Sequence, residues 1–361
     1  MASSYGNILK ITIFGESHSK AIGLTIDGLP SGIKIDEEAI KKDLAKRNPD
    51  DGTSTERREP DEVIFLCGVF NGFTTGSPLT FIIENKDVDS SKYTKGEIRP
   101  SHADLTSYIK YNGYNDYRGG GFSSGRITAS LVVLGTICKQ ILSNKGIKMG
   151  THIHALHLLN DREFDFDNLE KDIDALNKTP FPALSKAKRE EMIAEIKRAK
   201  RIKDSIGGML ETAIINVPIG LGEPYFDSLE SSIAHLLFSI GGVKGVQFGD
   251  GWKFARLLGS EVKDEIKYTP EGKLEILANH NGGINGGISN GAPIIVQTVI
   301  KPTPSIPQKQ QSVNLENKEN IDLSISGRHD SCIVHRVRIV MEALIAYAIV
   351  DMLMLKESKN I

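Results

Sequence analysis

The sequence predicts a single α/β domain spanning residues 1–361, and three observations carry that prediction. Short apolar segments punctuated by glycine recur along the chain, as in ILKITIFGES, AIGLTIDGLP and ETAIINVPIG, and have the character of strands. Between them lie segments with helical apolar spacing, among them EEAIKKDLAKR, RITASLVVLGTICKQIL and LSKAKREEMIAEIKRAKRIKDS. The composition, 39% hydrophobic and 25% charged, supports a substantial buried core and excludes disorder. No repeat of solenoid length is present, and the polar loops are too short to be linkers.

The elements follow in order. After the first two strands, Asp36 is placed to cap a helix through EEAIKKDLAKR, whose acids come early and bases late, as the helix dipole favours. The polar stretch NPDDGTSTERREPD leads to strand-like VIFLCGVF and TTGSPLTFIIEN, then to a polar loop from Lys86 to Glu97. Gly119 to Gly121 form a turn ahead of the helix in RITASLVVLGTICKQIL. Residues 161–205 are charge-dense with a helical pattern, ending before Gly207 and Gly208. SSIAHLLFSIGGVKGVQFGDGW reads as helix, tight turn and strand. NGGINGGISNGAPIIVQTVIKPTPSIP reads as glycine turns, a β-branched strand and a proline-stiffened loop. The apolar run IVMEALIAYAIVDMLML is interrupted by Glu342 and Asp351, so it is expected to be a buried helix and not a membrane span.

Charge and cysteine usage exclude several function classes. Lys and Arg number 44 against 46 Asp and Glu, a net charge of −2, which argues against nucleic acid as a partner. Cys67, Cys138 and Cys332 are widely spaced with no C-x-x-C pair, so neither a disulfide framework nor a cysteine zinc site is expected. The N-terminus MASSYGNILKITIFGES has no signal-peptide pattern, and a cytoplasmic location is expected.

The residues suited to chemistry fall in a few loops. Ser17 and His18 end the first strand in GESH, where a histidine beside a hydroxyl suits proton transfer. RPSHAD offers Arg99 as an anion fork and His102 with Asp104 to polarise it. DYRGGGFSSGR places free backbone N–H groups and hydroxyls at a helix start, a pattern suited to anions. GRHD, with Asp330 and then Arg336, and the stiff Lys301-Pro302-Thr303-Pro304-Ser305 loop complete the set. For each of these an ordinary turn or surface ion pair is the competing explanation. His152 and His154 in THIHALH fall on one face of a strand, but no acidic or cysteine partner lies nearby in sequence, so no metal site is expected. The set is rich in Arg, His, Gly and hydroxyls and poor in paired carboxylates. That suits polyanion binding with histidine acid–base chemistry and does not suit glycoside hydrolysis or metal catalysis.

In this order, FGESH, DGLP, REPDEV, GVFNG, TTGSPL, RPSHAD, DYRGGG, SIGGVKGVQFGDGW, NGGINGGISNGAPI, KPTPSI and GRHDSCIVHR resemble the chorismate synthase family, from residue 10 to about 350. The resemblance implies an α/β sandwich with a β-sheet core and helices outside, assembled as a cytoplasmic homotetramer. It implies a lyase that completes the shikimate pathway, converting 5-enolpyruvylshikimate 3-phosphate to chorismate and phosphate by anti 1,4-elimination. Reduced FMN is required without net redox change, and some members reduce their own flavin with NADPH.

Carried over by position, His18 matches the family's acid for the departing phosphate, and Ser17 and Asp330 match the pair that assists proton removal at flavin N5. His102 matches the histidine on the N1 side of reduced flavin. Arg47, Arg99, Arg126 and Arg328 match arginines that hold the substrate's anionic groups. Flavin contacts are implied for Phe122, Ser123, Ser124, Gly241, Gly242, Gly286, Lys301, Pro302, Thr303, Pro304, Ser305 and Arg328. The chain departs from the family pattern at Ser19, where Gly is usual, at Phe122 for a cation and at Ile127 for an acid. Gly241-Gly242 also differs, and the basic residue usual after Arg47 is absent, with Arg57 or Arg58 as its candidate substitute. Two alternatives stay open: an FMN-dependent oxidoreductase, and a non-catalytic relative that binds flavin or anions. The absence of G-x-G-x-x-G weighs against a dinucleotide site, and retention of His18, His102, Asp330 and Arg126 weighs against the second.

Overall fold

The computed structural model describes residues 3–47, 53, 61–325 and 330–359. One antiparallel sheet contains β1 (Ser4–Tyr5), β2 (Lys10–Gly15), β3 (Ala21–Asp27), β4 (Val63–Cys67) and β5 (Leu79–Glu84), in the order β1-β2-β3-β5-β4. A second is built from β6 (Lys148–Leu156), β7 (Leu159–Asn160), β8 (Gly208–Ile215), β9 (Val243–Phe248) and β10 (Ile294–Ile300), ordered β9-β10-β8-β6-β7. A separate hairpin, β11 (Gln310–Asn314) and β12 (Glu319–Leu323), lies against the loop before Arg99, where Ile98 N donates to Val313 O.

The helices are α1 (Glu37–Arg47), α2 (Asp104–Lys110), α3 (Thr128–Asn144), α4 (Leu169–Lys178), α5 (Lys186–Arg201), α6 (Leu229–Phe238) and α7 (Val334–Lys359). Asp36 caps α1 as expected, accepting from Ala39 N at 3.0 Å, and Ser185 caps α5 through Lys188 N. The charge-dense region 161–205 contains α4 and α5, and α5 is the helix expected through LSKAKREEMIAEIKRAKRIKDS.

The expected α/β sandwich is present, and its layers have a definite order. The amphipathic α4 and the charged α5 sit outside the second sheet, but α3 and α7 form an inner layer. The reason lies in their sequences: both are apolar on nearly every side, so both must be surrounded. One buried cluster accordingly contains Leu24 and Phe81 of the first sheet, Ile153 and Leu210 of the second, and Leu134 and Leu344 between them. The helix through residues 125–144 is long and apolar enough to cross a membrane, and here it packs on α7.

The charges that interrupt α7 act as clasps. Asp351 accepts from Ile8 N and Leu9 N, each at 2.8 Å, and from both Asn7 N and its side chain. It thereby fixes the β1–β2 connection and satisfies a turn that would otherwise bury bare N–H groups. Cys138 and Cys332 are buried thiols, the latter pushed up to about 12 by burial, and no disulfide forms among the described residues.

Close approach of α3 and α7 depends on Gly135, where a Cβ would lie 2.1 Å from Ala343 Cβ. Gly135→Ala is therefore expected to destabilise the fold. Overpacking costs about 1–3 kcal/mol, which exceeds the ~1 kcal/mol gained in helix propensity. Chemical denaturation checks this, and a raised midpoint would show that the two helices separate without cost.

The second sheet corrects one sequence expectation. His152 does have acidic partners, because the antiparallel register sets it opposite Glu211 on β8, and Asp161 follows β7. Neither was near it in the chain.

Candidate active site

The loop after β2 carries Ser17 and His18 and is shaped by its own polar groups. Ser19, at the position where the family has Gly, donates its hydroxyl to Glu16 O and Ala21 O and accepts from Glu16 N. The departure thus pins the turn. Asn85, just past β5, donates to Glu16 O and Ser19 O and accepts from Arg126 Nε, joining this loop to the start of α3. His18 Nδ1 lies 2.9 Å from Ser90 Oγ, and its ring meets Tyr93 edge-on at 5.3 Å. Ser90 and Tyr93 come from the Lys86–Glu97 loop, to which sequence reasoning assigned no role.

Opposite stands the glycine turn. Gly119, Gly120 and Gly121 all have positive φ, at 61°, 91° and 54°. A Cβ on Gly119 would lie 2.7 Å from His18 Nε2 and 2.8 Å from Ser17 Oγ, and one on Gly120 would lie 3.1 Å from His102 Cε1. Two adjacent glycines therefore bring His18, Ser17 and His102 around one stretch of backbone, with Ser17 N also donating to Gly121 O. Ser17 Oγ is buried with no hydrogen-bond partner among the described residues. Such an orphan is the mark of a site that expects a ligand.

His102 and Arg99 share one carboxylate. Asp104 accepts from Arg99 Nε at 2.7 Å and NH2 at 2.8 Å, and lies 2.7 Å from His102 Nδ1. Burial pushes the Asp104 carboxyl up, but hydrogen bonds from Arg99 and His102 outweigh it and hold it well below the usual carboxylate range. Arg99, expected to grip a substrate anion, spends its fork on Asp104 instead and lies over the Tyr93 ring at 5.7 Å. A cleft of about 290 Å³ opens here, lined in part by Tyr93, Arg99, Asp104, Asp116, Gly120 and Ile325.

A second group gathers buried arginines. Arg126 contacts Asp61, Asn85 and Glu84 O; Arg47 donates to Gly125 O and Thr128 Oγ1 and lies 3.8 Å from Asp61. Arg336 donates to Arg47 O and pairs with Asp330. The Arg47 guanidinium is pushed down to about 9, first by burial and then by Arg336. Three cations held this close, with two carboxylates among them, favour an added anion. Asp61 lies in the REPDEV segment, but no role followed for it from the sequence, because its partners Arg47 and Arg126 belong to other elements.

The predicted cofactor positions divide. Lys301 N donates to Gly242 O, Lys301 Nζ donates to Ser101 O at 2.7 Å, and Thr303 Oγ1 donates to Asp330 O. The Gly241-Gly242 turn, the Lys301–Ser305 loop, Asp330 and the His102 loop therefore adjoin one another. Ser305 is buried, and Pro302 and Pro304 stiffen the loop that Ser205 ties at Thr303 O. Phe122 and Ser123 are exposed beside the glycine turn, and Ser124 accepts from Arg126 N. Ile127 is buried in the core at the start of α3, where an acid would be costly. Gly286 lies at the tip of a small hairpin whose Gly287 O accepts from Leu229 N of α6. Arg328, like His329, Arg57 and Arg58, lies outside the described residues.

A family model described as chorismate synthase matches residues 9–354. The chain belongs to the chorismate synthase family. A relative named chorismate synthase from Pyrococcus abyssi is 42% identical over 353 residues, covering 97% of each chain. Those from Lachnoclostridium phytofermentans and Methanocaldococcus jannaschii are 43% and 40% identical, each over 98% of this chain and at least 95% of its own length. A crystal structure of a chorismate synthase superposes with a TM-score of 0.78 at 30% identity, covering 98% of this chain and 93% of the other. Identity sustained end to end makes this chain an enzyme of the chorismate synthase family.

Proposed function

We propose that this enzyme converts 5-enolpyruvylshikimate 3-phosphate into chorismate and inorganic phosphate by anti 1,4-elimination, with reduced FMN bound. The observation that carries the reading is the convergence of His18, Ser17 and His102 on one left-handed glycine turn beside buried arginines. The substrate brings two carboxylates and a phosphate, and the cofactor brings another phosphate. Each anion needs a cationic or hydrogen-bonding partner once water is excluded. Arg47, Arg126 and Arg336 meet that need for the substrate, and Arg99 positions Asp104 and His102.

Two features support the fit to flavin. Ser17 Oγ is buried without a hydrogen-bond partner among the described residues, and Gly120 lines a cleft of about 290 Å³ beside Tyr93 and Arg99. Phe122, Ser123, Ser124, Gly241, Gly242 and the Lys301–Ser305 loop would hold the cofactor. Bound in its reduced form, flavin would supply electron density to the breaking carbon–oxygen bond with no net oxidation. His18, its Nδ1 fixed by Ser90, donates a proton from Nε2 to the departing phosphate. His102 donates its Nδ1 proton to Asp104, which leaves Nε2 on the side of Gly120. Asp330, set by Arg336 and by Thr303 at its carbonyl, receives the ring proton with Ser17 in support. The carbon–hydrogen pair forms a new ring double bond, the existing double bond shifts toward the carbon that bore oxygen, and the carbon–oxygen pair leaves with phosphate.

The reading takes the chain as one domain, in a cytoplasmic homotetramer, as the family resemblance implies. Exposed Phe70, Tyr225, Phe226, Trp252 and Tyr268 offer apolar surface for subunit contacts. Purified enzyme given substrate and chemically reduced FMN without oxygen is expected to release phosphate. Absence of release with correctly folded protein contradicts the reading.

A further inference from the structure

On the outer face of the second sheet lies a polar group that the reaction does not use. His152 is fully buried, with Nε2 at 2.9 Å from Glu211 Oε2 and Nδ1 at 3.3 Å from Asp161 Oδ2. His154, two residues along the same strand, turns its Nδ1 toward the same place, 4.0 Å from Glu211 Oε2 and 3.8 Å from Glu163 Oε2. That Nδ1 is buried and has no hydrogen-bond partner among the described residues. One donor atom from each of His152, His154 and Glu211 lies within 4.8 Å of the others.

We propose that His152, His154 and Glu211 form a zinc site, with Glu163 able to complete it, and that the ion clasps the β6–β7 hairpin to β8. Zinc takes imidazole and carboxylate donors at about 2.0–2.2 Å in a tetrahedron, which sets neighbouring donors about 3.3 Å apart. The three atoms need only small side-chain shifts to reach that spacing. In binding, zinc takes the place of the proton between His152 Nε2 and Glu211 Oε2, and that proton leaves to solvent.

The supporting shell is already built. Asp161 faces the second nitrogen of His152, in the carboxylate–histidine arrangement that orients metal ligands. Asp161 is itself held by the N–H groups of Arg162, Leu184 and Ser185. Gln297 fixes the other Glu211 oxygen at 2.6 Å, and Gln247 in turn fixes Gln297. Charge points the same way. Asp161, Glu163 and Glu211 bring three carboxylates around the two imidazoles, and a divalent ion offsets two of their charges. A buried imidazolium between two carboxylates would account for His152 alone. It leaves the buried, unpartnered nitrogen of His154 unexplained.

Chelator-treated full-length protein titrated with zinc chloride tests this by calorimetry and by thermal melting. The expected result is one zinc per chain with a Kd of about 1 µM or tighter, and a Tm raised by several degrees at saturation. His154→Ala, which removes a half-shielded side chain without hydrogen bonds, is expected to weaken binding by roughly 100-fold or more. His157→Ala, removing a histidine paired to Glu195 on the same hairpin, should leave binding unchanged. Cobalt in place of zinc should give the visible spectrum of a tetrahedral ion, a readout on the unsubstituted protein. No stoichiometric binding, an octahedral cobalt spectrum, or equal zinc affinity in His154→Ala would overturn the site.

Discussion

His18→Ala is expected to lower turnover by roughly 10²- to 10⁴-fold, the range for loss of a positioned general acid. Phosphate leaves poorly as a bare anion, and among the described residues no other imidazole adjoins Ser17 and Gly119 on that side of the glycine turn. The imidazole is held by contacts at its rim, Ser90 at Nδ1 and the edge of Tyr93, so its removal spares the buried core. The loss should therefore fall on kcat, with circular dichroism and Tm near those of the parent protein. His102→Ala should give a comparable loss through a different partner, Asp104. Turnover at the parent rate in His18→Ala would remove the acid from the mechanism.

Gly119→Ala is expected to cost about 10²-fold in turnover, although it adds one methyl group and removes nothing. At φ +61° an alanine pays about 1–2 kcal/mol for the left-handed conformation. Its Cβ would also sit 2.7 Å from His18 Nε2, so either the imidazole or the turn must move. A displacement near 1 Å at a reacting group costs on the order of 10²-fold. Gly125→Ala provides the contrast, since its Cβ would meet nothing within 4 Å and its φ is ordinary. Comparing the two variants by kcat and by melting separates a local displacement from general damage. Equal kcat in both would show that the glycine turn does not set the histidine.

Local rules made much of this fold legible. The α1 cap at Asp36 and the acid-to-base gradient that follows need only neighbouring residues, as does the Ser185 start of α5. The His102–Asp104 contact was legible for the same reason, being two residues apart. What the sequence could not reveal depends on register and long closure. Ser90 reaches His18 across 72 positions, and Glu211 reaches His152 across 59, set by which strands pair. The inner placement of α3 and α7 shows the limit from another side. Their all-round apolarity indicated burial but not which surfaces would cover them. Arg99 illustrates a third kind of limit: its residue type suited a ligand's anion, and Asp104, five residues on, takes its fork instead.

In the proposed reaction the flavin assists an elimination without being consumed. Chorismate formation followed by absorbance under anaerobic conditions, with the flavin spectrum recorded alongside, tests this most directly. Many chorismate molecules per reduced FMN are expected, with the flavin still reduced at the end, no activity with oxidised FMN, and no NAD(P)H consumed in step with product. One flavin oxidised for each product molecule would contradict the proposed reaction and assign the site to an oxidoreductase.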